Sequence, residues 1–145
     1  MSHLLKLSAA ELKDRNILRN ALRKMFGDQY VKEDAEVRGY NRTTYHTNAA
    51  LVVCKEAYGG YGDVGFAKAE GSESFGIFMD DLDFRKVKCK TMPTVRGDAG
   101  PKNPAELFTE FYTAQGVADA MEMQGYSTTQ QVEENGDVLV KAYAY

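Results

Sequence analysis

The sequence predicts an α+β fold in which an antiparallel sheet of five to six strands carries two amphipathic helices packed on it. Three observations predict it. Residues 37–84 hold short β-branched and aromatic runs separated by glycine-rich turns. Apolar residues recur at helical spacing on either side of that stretch, over 17–26 and 107–121. Near the C-terminus, Asn135-Gly136 joins two further extended runs, and Asn-Gly is a strong short-hairpin signal. At 145 residues the chain has the length of one domain, 1–145, able to bury one core.

The first helical pattern has two possible starts. Ser8-Ala9-Ala10-Glu11 has the spacing of a capping box, and Asp14 offers a rival cap. Leu18, Ala21, Leu22 and Met25 then form an inward face, widened by Ile17 and Phe26, and Gly27 supplies a stop. Arg15, Arg19, Arg23 and Lys24 fall on the other side, as on a solvated face. Residues 4–12 read either as helix or, through the alternation of Leu5 and Leu7, as a short opening strand at a sheet edge.

Extended runs are expected over 35–40 and 45–55, broken at Asn41-Arg42-Thr43-Thr44. Gly59, Gly60 and Gly62, interleaved with Tyr58 and Tyr61, form a connector into a strand over 64–69. That connector lacks the following Lys-Ser or Lys-Thr of a phosphate loop and leads into a strand instead of a helix. Glu70-Gly71-Ser72 marks a hairpin leading to Phe75, Ile77 and Met79. Asp80, Asp81 and Asp83 read as a solvated strand end, since no fourth acidic ligand for a cation lies near them.

Residues 85–102 read as an irregular basic loop. They carry Arg85, Lys86, Lys88, Lys90, Arg96 and Lys102 against one negative charge, Asp98, so a chain of net charge −3 divides into a loop of +5 and a remainder of −8. Long loops in small domains are commonly functional or disordered, and a basic one suits phosphates or an acidic protein surface. A solvated excursion that offsets the acidic body explains the charges equally well. Asn103-Pro104-Ala105-Glu106 then opens a second helix with a cap, proline at the first helical position and glutamate at the third. Leu107, Phe111, Ala114, Ala118 and Met121 form its inward face before Gly125 ends it. In the last strand, Tyr143 and Tyr145 alternate with Ala142 and Ala144, making one face aromatic.

Several chemistries are excluded by what these residues lack. The two cysteines, Cys54 and Cys89, form no C-x-x-C and no metal pattern with His3 or His46; Cys54 reads as a buried thiol. No metal and no cofactor is expected. No window approaches the ~20 apolar residues of a membrane span, and Met1 to Leu7 does not read as a secretion signal, so the expected location is the cytoplasm, with no membrane partner. No nucleophile motif is present; His46, Asp63 and Cys89 are the residues a small enzyme would have to use.

The opening Met1-Ser2-His3, the I-L-x-x-A-L-x-x-x-x-G of 17–27, Val37-Arg38-Gly39-Tyr40, Asp63-Val64-Gly65-Phe66 and the F-x-x-x-Y helix running into Gly125-Tyr126 make the chain resemble a small conserved open-reading-frame family. That family, of unknown function, is found in cyanobacteria, plastid genomes and tailed phages. The likeness spans most of the chain in matching order and departs at 85–102, which looks like an insertion. The resemblance implies no catalytic residues. Family genes often sit beside an ATPase of the AAA+ class, which implies a non-enzymatic accessory or adaptor protein, here phage-encoded and acting in a bacterium or a phage-infected host cell. Binding of a partner protein through the basic residues of 85–102 is therefore the leading expectation, with nucleic-acid binding through the same residues as the alternative and catalysis last.

Overall fold

The computed structural model describes residues 4–144; His3 and Tyr145 lie outside the described residues. Four consecutive strands, β2 (Val31–Arg38), β3 (Thr44–Val53), β4 (Val64–Lys68) and β5 (Phe75–Asp80), pair antiparallel in chain order, and β1 (Leu4–Ser8) adds along β5. The opening segment is thus a strand, and Asp14 is the helix cap. Leu5 and Leu7 face the core beside Met79 and Ile77, their partners in register, which is what the leucine alternation required. The closing hairpin does not extend this sheet. Strands β6 (Ser127–Val132) and β7 (Val138–Tyr143) form a separate two-stranded sheet against the last long helix.

Helix α1 (Arg15–Phe26) begins where the Asp14 carboxylate accepts from the amides of Asn16 and Ile17, at 2.8 and 3.1 Å. Gly27, at φ 105°, ends it. Helix α3 (Pro104–Met123) starts on Asn103, whose side chain accepts from the Glu106 amide at 2.9 Å. Both helices send their apolar residues into one core with the sheet: Leu18 and Leu22 from α1 and Leu107, Phe108 and Phe111 from α3 meet Leu51, Phe66 and Ile77. Phe108 meets Phe66 edge-on with centroids 5.0 Å apart. Burying side chains of this size stabilises by about 1.5–3 kcal/mol each.

Residues 85–102 are not one irregular loop. Their first half is a third helix, α2 (Phe84–Thr91). Val87 is its buried anchor, Phe84 packs partly against the core, and the Thr91 hydroxyl donates to the Val87 carbonyl at 2.9 Å. Phe84, Val87 and Thr91 give the helix a short inward face, and its lysines and arginine hold good helix propensity behind a loop-like composition. The second half leads to the β6–β7 hairpin, where Gly100 faces Gly136 and the Thr94 hydroxyl donates to the Val132 carbonyl at 3.3 Å.

The second face of the sheet is covered by the sheet itself. Val31 belongs to the main core while Ala35 and Val37, further along the same strand, belong to a smaller cluster with Ala49, Val52, Ala67 and Phe78. Between them Asp34 adopts φ 48°, a left-handed conformation aspartate tolerates, and the β2–β3 register shifts beyond Ala35. The far end of the β2–β3 ribbon curls back over β4 and β5. There a Cβ added at Gly65 would lie 2.2 Å from a Val37 methyl, so Gly65 is the residue that lets the ribbon close.

Candidate interaction surface

Where the curled ribbon meets the glycine connector, three carboxylates are buried: Asp63, Asp80 and Asp83. Burial of a carboxylate is costly unless every lone pair is used. Asp63 accepts from the Arg38 amide at 2.8 Å, from Arg38 Nε and Nη2 at 2.9 Å each, and from the Lys55 amide at 2.8 Å. Arg38 also donates to Glu56 at 2.6 Å, and that hydrogen bond, ahead of a smaller opposing effect of burial, lowers the Glu56 pKa. The two acids push Arg38 further above its already high value.

Asp80 accepts from the Tyr45 hydroxyl at 2.8 Å and from the Leu82 amide at 2.9 Å. Asp83 accepts from the amides of Tyr61 and Gly62, at 2.8 to 3.0 Å. The acidic run after β5 is therefore not a solvated strand end: two of its three carboxylates are consumed by backbone amides that the turns leave unpaired. Desolvation raises the Asp83 pKa, opposed by the two amides and reinforced by the nearby Asp80 charge. Burial likewise raises Tyr58, whose hydroxyl donates to the Gly62 carbonyl. These carboxylates are held in position by their partners, and no group of His, Cys, Asp or Glu suited to a metal occurs among the described residues.

What this corner does is display. It holds the Gly59–Gly62 connector so that Tyr61 stands out, edge-on to the exposed Tyr40 ring with centroids 5.4 Å apart. Lys86 of α2 lies over the other aromatic neighbour, its Nζ 4.1 Å from the Tyr61 ring centre and 3.2 Å from the Gly59 carbonyl. Leu82, half exposed, precedes the helix. Arg85, Lys86, Cys89 and Lys90 line an open depression of about 510 Å³ whose remaining wall is Ala57 and Tyr58.

The sequence-predicted basic residues thus divide. Arg85, Lys86, Lys88 and Lys90 are brought together on α2; Arg96 and Lys102 are exposed in the following segment and line no part of that depression. Among the described residues none of the six is in an ion pair. In contrast, Arg15, Arg19 and Arg23 of α1, expected on a solvated face, reach across to Glu33 of β2 at 3.3, 3.6 and 3.9 Å. His46, Asp63 and Cys89 do not converge: His46 packs on Phe78, Asp63 is held by Arg38, and Cys89 is exposed on α2. Tyr40 and Tyr61 were missed as surface residues because their display depends on Asp83, 22 positions from Tyr61. A scan of family models, a search of curated proteins and a search of solved structures each find no match to this chain. Among the described residues no helix is long and apolar enough to cross a membrane.

Proposed function

We propose that this chain is a non-enzymatic accessory or adaptor protein, phage-encoded, that binds an acidic surface of a partner protein through α2 and the adjoining tyrosines, the partner being an AAA+ ATPase. One observation carries the reading: α2 presents Arg85, Lys88 and Lys90 free of ion pairs among the described residues, beside an exposed Tyr40–Tyr61–Lys86 stack. Aromatic residues and arginine are enriched at protein interfaces, and complementary charge speeds and orients the encounter. The ATPase assignment follows from the family resemblance of the V-R-G-Y and D-V-G-F motifs.

Capture of an AAA+ ATPase from the same host or phage by the purified chain tests it. The triple variant Arg85→Glu, Lys88→Glu, Lys90→Glu should lose capture while keeping its denaturation midpoint. A wild-type chain that captures no such ATPase at low salt refutes the partner. The exposed Tyr40 and Tyr61 rings beside Lys86 also favour a second reading, single-stranded nucleic acid stacked on tyrosine and followed by α2. That reading requires an affinity that falls steeply with added salt.

A further inference from the structure

Away from α2, a groove of about 440 Å³ lies on the second face of the sheet, a volume within the range of small-molecule sites. Its floor is set by register. Lys6 and Phe78 are partners across β1 and β5, and in the next row Ser8, Gly76 and Ala67 stand side by side on β1, β5 and β4. The curled end of β3 brings His46 over Phe78, with ring centroids 4.8 Å apart. Lys68, next along β4, pairs with Phe75 and turns its Nζ to the other face, 4.7 Å from the centre of that core ring.

Three features mark this groove as built to hold something. The polar lining favours an anion: it includes Lys6 and His46 and, among the described residues, no carboxylate. His46 is oriented, because its Nδ1 accepts from the Asn48 amide at 3.2 Å, so the neutral ring carries its proton on Nε2 as a donor. The floor is open without a packing reason. A Cβ at Gly76 would meet Leu7 and Ala67 carbonyl oxygens at 3.4 and 3.6 Å, ordinary contacts, whereas the Cβ forbidden at Gly65 would collide with Val37. Gly76 also lies outside the left-handed region that favours glycine. Its missing side chain leaves the floor of the groove open.

We propose that this groove binds a small organic anion bearing a flat aromatic ring, the ring lying along Phe78 over Gly76 and the anionic group meeting Lys6 and His46 Nε2–H. Nucleoside monophosphates and aromatic carboxylates share this chemistry. Titrating the isotope-labelled full chain at millimolar concentration with the four common ribonucleoside monophosphates, with 4-hydroxybenzoate and with inorganic phosphate separates them. Saturable shifts of the His46 and Phe78 ring signals are expected with one of the two organic classes, and the class that saturates identifies the anion. Lys6→Gln should weaken that binding by about tenfold, as expected when a charge-assisted contact to the anion is lost, while Lys68→Gln, on the other face, should leave it unchanged. Gly76→Val, a residue suited to a strand, should abolish it with the amide spectrum of the fold retained. No saturable ring shift with any organic anion, or shifts with inorganic phosphate alone, would overturn the proposal. So would binding that survives both Lys6→Gln and Gly76→Val.

Discussion

Arg38 meets two acids of opposite exposure: Asp63 is almost wholly buried while Glu56 is about half exposed. The first contact is structural. Removing the cation leaves the buried carboxylate only the Arg38 and Lys55 amides, so Arg38→Met should lower the unfolding free energy by about 1–3 kcal/mol in urea titration. Glu56, being exposed, should count for little: Glu56→Gln is expected to fall within about 0.5 kcal/mol of wild type. Asp83 offers a sign test by pH. Its folded-state pKa lies above the ordinary 3.8 because burial disfavours the charge, so the folded chain holds this proton more tightly than the unfolded one. Stability from this group is present below 3.8 and is lost as pH rises through the raised folded-state value. Wild type measured against Asp83→Asn should therefore lose relative stability from pH 4 upward, by urea midpoints at matched pH. An advantage that instead grows with pH would mean the amides of Tyr61 and Gly62 outweigh desolvation.

At the scale of elements, the curl of the β2–β3 ribbon decides more than any single helix. It covers the second sheet face with Val37, Ala49, Val52 and Phe78, and it delivers Arg38, Tyr45 and His46 to their partners. Closure depends on the space at Gly65. Gly65→Ala should destabilise by about 1–3 kcal/mol through overpacking against Val37, and adding Val37→Ala should recover part of the loss in a double-mutant cycle. Helices α1 and α3 were legible because caps and periodicity agree: Asp14, Asn103 and Pro104 each sit where the unpaired first-turn amides need them. Asp14→Ala should cost about 1 kcal/mol of global stability. Helix α2 was not legible, since an inward face of only Phe84, Val87 and Thr91 over eight residues is too short to stand out, and four basic residues in the six positions 85–90 read equally as a loop.

For the molecule as a whole, charge is distributed against its total. A chain of net charge −3 carries a basic helix whose cations are in no ion pair among the described residues, and local fields, more than net charge, govern encounters within a Debye length of about 10 Å. The chain should therefore be retained on heparin at low salt despite its pI of 5.4, and the Arg85, Lys88 and Lys90 reversal should abolish retention. Sequence by itself determined the α+β class, the meander, the two long helices and the closing hairpin, because those follow from local periodicity, caps and turn residues acting over a few positions. It also determined that 85–102 is the basic segment. Only the tertiary structure decided that the last hairpin forms its own sheet, that the aspartates after β5 are buried in pairing with distant turns, and that Tyr40 and Tyr61 stand beside Lys86. Those outcomes depend on contacts between residues far apart in the chain, where a carboxylate's partner is an amide some twenty residues away and no local pattern records it.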